Sequence, residues 1–225
     1  MLFDPLYWLI MGPAMLLAVW AQARVRSAYE TYSQVYASSG LTGSELARRL
    51  LQQAGLHDVA VEGVAGQLTD HYDPRNRVVR LSEGVYNSRS LAALGVAAHE
   101  VGHALQHRDG YIWLNLRNSI VPITQIGSNL AMPLVILGLI LGALQLVDLG
   151  IILFSLAVLF QLVTLPVEFN ASSRALATLA DGGYVSSSEI RPIRSVLSAA
   201  ALTYFAALVT ALLQLVYLFT LRGRR

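Results

Sequence analysis

The chain has 225 residues, of which 55% are hydrophobic and only 13% charged, which is too apolar for an ordinary soluble domain. The net charge of +2 is small, all 16 basic residues are arginine, and no basic tract interleaved with aromatics points to nucleic acid. Cysteine is absent, which excludes disulfides and thiolate metal sites, so any zinc must be held by histidine and carboxylate.

Leu6 to Ala23 is apolar over a membrane-spanning length and carries Trp8 and Trp20 near its ends, where interfacial tryptophans belong. Met1–Pro5 has Asp4 and no basic residue, which favours a retained anchor over a cleaved signal peptide. Arg24 to Ser38 reads as a helix with Tyr29, Tyr32 and Tyr36 at helical spacing, ended by Gly40. Thr42 followed by Glu45 is a capping-box pattern that opens a helix through Ala54. Val59–Val64, Gln67–Tyr72 and Val78–Leu81 alternate as short strands do. The turn residues Asp73-Pro74-Arg75-Asn76 predict a β-hairpin between the last two.

Ser90–His107 is Ala- and Leu-rich without proline and predicts a helix of roughly four to five turns. It contains His99-Glu100-Val101-Gly102-His103. Two histidines four residues apart share one helical face and can hold one zinc ion, with Glu100 beside them to take a proton from water. With 5 histidines and 7 glutamates in the chain, independent placement gives about 0.003 such motifs, so chance explains it poorly.

Ser119 to Val147 predicts a second span with Pro133 as a kink, Asp148-Leu149-Gly150 a short link, and Ile151–Pro166 a third span. Pro166 is expected to start a new helix carrying Glu168, with Ala171–Leu179 helical and Asp181-Gly182-Gly183 a turn. Ser186–Glu189 is expected to begin another short segment, and Val196 to Leu221 a fourth span that ends in the basic tail Arg222-Gly223-Arg224-Arg225. Four spans put both termini on one side and the histidine segment on the other. The latter side carries Arg24, Arg26, Arg108, Arg117, Arg174, Arg191 and Arg194, so the positive-inside rule places it in the cytoplasm.

A catalytic zinc takes three protein ligands and leaves one position open. His107 lies on the same face as His99 and His103, but the outer two of three such histidines stand about 12 Å apart on a straight helix. Asp109 has the offset used by metzincins, yet Gln106 occupies the place of the glycine that lets that chain turn. Glu168 is the only acidic residue between Asp148 and Asp181 and enters on the same side as His99, so the topology favours it.

The run Leu68-Thr69-Asp70-His71-Tyr72-Asp73-Pro74, then Val79-Arg80-Leu81-Ser82, then Ala97–Ala104 around the HEVGH motif, resembles the YugP-like neutral zinc metallopeptidases of bacterial membranes. Gly40-Leu41-Thr42-Gly43, Leu165–Ala171 and the four spans extend the likeness over most of the chain. The resemblance implies a membrane-bound zinc peptidase with Glu100 as general base and His99 and His103 as ligands. The segment around Glu168 is also similar to the third-ligand segment of HtpX-type membrane proteases. Those carry Asp where this chain has Ser172, so no carboxylate is expected to support the ligands from that position.

The expected fold is a mainly α membrane protein. It has four transmembrane helices and a small α+β, zincin-like catalytic portion carrying the HExxH helix and a β-hairpin. The whole of 1–225 is read as one membrane-embedded domain, with spans near 6–23, 119–147, 151–166 and 196–221 and aqueous segments 24–118 and 167–195. The expected activity is zinc metalloendopeptidase of gluzincin type at the cell membrane, acting on membrane-associated polypeptides, with no nucleic-acid partner. His71 and Tyr72 are candidates for stabilising the oxyanion, or else structural. The rival reading is a non-catalytic four-span scaffold whose zinc is structural, and Glu100 discriminates, because a structural site has no use for an acid beside its ligands.

Overall fold

The computed structural model describes residues 4–224; Met1–Phe3 and Arg225, the last residue of the basic tail, lie outside them. In chain order the elements are α1 (Pro5–Ser33), α2 (Gly43–Gln53), β1 (Ala60–Val64), β2 (His71–Asp73) and β3 (Val78–Ser82), followed by α3 (Glu83–Tyr86), α4 (Leu91–Arg108), α5 (Ile112–Leu141), α6 (Leu144–Asp181) and α7 (Ser187–Gly223). By length and composition α1, α5, α6 and α7 can each cross a membrane, four as expected. The chain divides into two compact units.

The first unit comprises Met1–Gln22, Asn115–Pro166 and Leu202–Arg225. The Asp148-Leu149-Gly150 link expected between the second and third spans is not there. The chain turns instead at Gly142, whose φ of +68° suits a glycine, and α6 has already begun at Leu144. Gly150 sits inside α6, where a Cβ would come within 2.7 Å of the Ala131 carbonyl oxygen of α5. It lets two helices approach rather than ending one. Val135, Val147, Ile151 and Leu218 form the buried cluster of this unit. Asp148 pairs with Arg222, and Asp4 pairs with Arg224 and accepts a hydrogen bond from Tyr217. The start of α1, the turn before α6 and the end of α7 therefore share one end of the unit, the antiparallel order that four spans require.

The second unit comprises Ala23–Leu114 and Val167–Ala201. Thr42 caps α2 with the complete reciprocal box, its hydroxyl accepting from the Glu45 N–H while the Glu45 carboxylate accepts from the Thr42 N–H. The helix expected over 24–38 ends at Ser33; Tyr36 is extended, bridges to Ser90 and is exposed, whereas Tyr29 and Tyr32 pack on the core. The three strands form one sheet in the order β1-β3-β2, with β1 parallel to β3 and β2 antiparallel to it. The predicted hairpin is thus present, though β2 covers only His71–Asp73, because Leu68 takes a left-handed φ of +55° that no strand allows. The Asp73 carboxylate accepts from the N–H groups of Arg75 and Asn76 and from the Asn76 side chain, and these bonds hold its pKa well below the usual carboxylate range. Central β3 is buried, β1 is largely exposed and β2 is mostly half-buried, so the sheet has one covered strand and two edges.

Ser90 caps α4 by accepting from the Ala93 N–H, and Gly110, at φ +62°, ends it. Fourteen residues of α4 are buried, so it is the central helix of this unit. Two expectations about the flanking helices do not hold. Pro166 does not start a helix but lies inside α6, so 171–179 is part of that same helix. The serine run opens α7 itself rather than a separate short segment.

Candidate metal centre

His99 and His103 leave the same face of α4, and their rings meet edge to face with centroids 4.8 Å apart. Glu168, from the part of α6 that belongs to the same unit, reaches them. Its Oε2 lies 3.2 Å from His99 Nε2 and 3.6 Å from His103 Nε2. The approach of the two segments depends on Gly102. A Cβ there would come within 2.6 Å of the Ala171 carbonyl oxygen, so only glycine lets α6 lie this close to α4.

All three donor atoms lie within 4.8 Å of one another, and Glu168 and His103 are buried. A tetrahedral ion with nitrogen and oxygen donors at 2.0–2.1 Å has donor–donor edges of about 3.3 Å. The spacings to Glu168 bracket that value. Two imidazoles and one carboxylate also leave one coordination position open, so the residues fit zinc. Each imidazole is held from behind: Ser172 Oγ lies 3.1 Å from His99 Nδ1, and Gln106 Oε1 lies 3.0 Å from His103 Nδ1.

Glu100 follows His99 on α4 and is buried. Burial pushes its carboxyl up to about 7; the charges of Glu168 and Asp70 act the same way, while His99 and the backbone N–H of Tyr72 oppose it. That N–H lies on β2, which packs against α4, so the strand sets a donor beside the acid. Asp70 is itself raised by burial and is held by the Ser82 N–H and hydroxyl at the end of β3.

The remaining candidates lie elsewhere. Asp109 forms ion pairs with Arg108 and Arg174, whose hydrogen bonds hold its carboxyl below its ordinary value, and it is not in the cluster. His107 Nδ1 lies 2.8 Å from the Tyr72 hydroxyl, so both are engaged with each other. His71 is exposed, with Nδ1 2.8 Å from the Thr69 carbonyl. Sequence reasoning missed Ser172 and Gln106 as supports. Gln106 stands three residues after His103, a helical neighbour, and that spacing was the one available signal.

A family model described as "Putative neutral zinc metallopeptidase" matches residues 7–223. The chain belongs to this family. It is 56% identical over 199 residues to "Putative membrane protease YugP" of Bacillus subtilis (strain 168), covering 88% of each chain. No solved structure matches the chain. Membership supplies zinc as the cofactor, in agreement with the His99, His103 and Glu168 cluster, and a polypeptide as the class of substrate. The four apolar helices supply the membrane as its location.

Proposed function

We propose that the chain is an integral-membrane zinc endopeptidase in which His99, His103 and Glu168 hold the ion and Glu100 is the general base. The observation that carries this reading is the convergence of the three donor atoms beside the buried carboxyl of Glu100. When bound, zinc supplies Lewis-acid chemistry, lowering the pKa of a water and polarising the scissile carbonyl. Glu100 accepts a proton from the attacking water and later delivers it to the leaving amine. A pKa close to the working pH serves both transfers. This is the zincin-like, gluzincin-type arrangement, with the whole of 1–225 working as one catalytic domain.

Glu168 follows the third apolar stretch by two residues, and Ile112 opens the helix of the second. We place the metal near the membrane surface, on the cytoplasmic side by its arginine excess, with membrane-associated polypeptides as substrates. The test is zinc content and casein or peptide cleavage by detergent-purified protein, comparing wild type with Glu100→Gln and Glu168→Ala. E100Q is expected to keep zinc and lose cleavage by roughly 100-fold or more, and E168A to lose zinc. No cleavage by zinc-loaded wild type, with zinc unaffected in both variants, would favour the structural-zinc scaffold. Equal cleavage of soluble folded proteins and membrane proteins would refute the substrate assignment alone.

A further inference from the structure

We propose that Gln106 is a positioning residue that keeps the proton of His103 on Nδ1, and that Arg174 fixes the orientation of Gln106 through Asn170. The proposal rests on the reading of His103 as a metal ligand and adds what decides which nitrogen is free to ligate.

The argument starts at Arg174, because a guanidinium can only donate. Arg174 Nε lies 2.8 Å from Asn170 Oδ1, which must therefore be the amide oxygen. That oxygen also lies 3.0 Å from the Gln106 side-chain nitrogen, and the same nitrogen lies 2.8 Å from the Val167 carbonyl oxygen. Two acceptors face one end of the Gln106 amide, so its NH2 is there and its oxygen is at the other end. The oxygen lies 3.0 Å from His103 Nδ1. Oxygen accepts, so Nδ1 carries the hydrogen, and in the neutral ring Nε2 keeps its lone pair. Nε2 is the atom that faces Glu168 at 3.6 Å.

The reverse orientation of Gln106 would set its oxygen against both Val167 O and Asn170 Oδ1. Gln106 is 0% exposed, so no water could relieve that conflict. Arg174 is anchored in turn by the Asp109 carboxylate, which gives that residue a role at the outer end of the chain of bonds rather than at the metal. The same amide ties Val167, the neighbour of Glu168, to α4, so one side chain orients a ligand and holds the segment that brings another. The support behind His99 differs in kind. Ser172 offers a hydroxyl that can donate or accept, so it orients the ring without choosing its tautomer.

The experiment compares full-length wild type with Gln106→Met, Asn170→Asp and Asn170→Leu, using His103→Ala as the ligand control. Zinc affinity is read by competition with a chelator. The tautomer of His103 is read in the metal-free protein from 15N-histidine spectra at about pH 8, where an ordinary imidazole is neutral. Wild type is expected to show the hydrogen on Nδ1. Q106M fills the space without hydrogen bonds, and is expected to show mixed tautomers and a roughly 10- to 100-fold weaker hold on zinc. N170D still accepts from both Arg174 and Gln106 and should retain the wild-type tautomer, whereas N170L should behave as Q106M does. Wild-type affinity and tautomer in both Q106M and N170L would overturn the proposal, as would a hydrogen on Nε2 in the wild type. Equal zinc affinity in wild type and H103A would overturn the ligand assignment instead, and is recognisable because it does not depend on Gln106.

Discussion

The closest test of the helix pair that carries the proposed ligands is Gly102→Ala. The added Cβ would lie 2.6 Å from the Ala171 carbonyl oxygen and 3.2 Å from its C and Cα, all backbone atoms that cannot rotate away. Reaching ordinary contact at 3.4 Å requires the two backbones to part by about 0.8 Å, the difference between 3.4 and 2.6. His103 is the next residue on one side of this contact, and Glu168 lies within one turn of Ala171 on the other. The displacement therefore falls on the proposed metal donors His103 and Glu168, where distances are tolerant to only about 0.2 Å. The cost to the fold is smaller. Overpacking of this kind costs about 1–3 kcal/mol, and the higher helix propensity of alanine offsets up to about 1 kcal/mol of it. G102A should accordingly fold, with a modest fall in the melting temperature of the metal-free protein, while its zinc affinity falls at least roughly 10-fold. Thermal unfolding in detergent with and without zinc, together with chelator competition, separates the two effects. Zinc bound by G102A within about twofold of wild type would refute the argument that glycine is needed for this approach.

Other perturbations test separate links. The folded-state pKa of Glu100, near 7, lies above its ordinary 4.5. The contribution of Glu100 to metal-free stability should therefore be greatest below pH 4.5 and fall by about 1.4 kcal/mol per pH unit up to about 7, on top of the opposite trend of carboxylates such as Asp73 that are held below their ordinary values. The accumulated loss is about 3 kcal/mol, and Glu100→Gln should remove this contribution from the stability–pH curve; the same slope in both proteins would contradict it. Tyr72→Phe removes only the hydroxyl bonded to His107, so it should cost about 0.5–1.5 kcal/mol of stability and change kcat less than threefold. A loss of 100-fold would instead place that hydroxyl on the substrate. Thr42→Ala removes the α2 cap and should lower stability by about 1 kcal/mol while leaving zinc affinity unchanged, as calorimetry and chelator competition would report.

What could be read from the sequence is what depends on neighbours in the chain. The α2 cap, the Asp73 turn and the histidine pair all work through residues three or four positions apart, and each took its expected form. The apolar helices were equally legible because hydropathy is a local sum. The turn between α5 and α6 was not, since Gly142 and Gly150 punctuate the same apolar run. The choice between them is made by helix packing, in which Gly150 is needed against Ala131. Glu168 could be found only because an isolated carboxylate among apolar residues demands a reason, and the order of the spans supplied one.

Gln106 and Ser172 offered no such contrast. Both are neutral, common residue types; the His99 partner of Ser172 lies 73 positions away, and the partners of Gln106 other than His103 lie 61 and 64 away. Gln106 was noticed only as the absence of a metzincin glycine, although that absence and its role have one cause. With no glycine to turn the chain at 106, α4 runs on to Arg108, and the position becomes a buried helical one that faces α6. A chain that turned there could bring a third ligand from downstream of the motif. A helix that continues must receive it from another element, and α6 can supply Glu168 only if something on α4 holds it in place. The residue that rules out Asp109 as a ligand is thus the one that ties the Glu168 segment to the histidines.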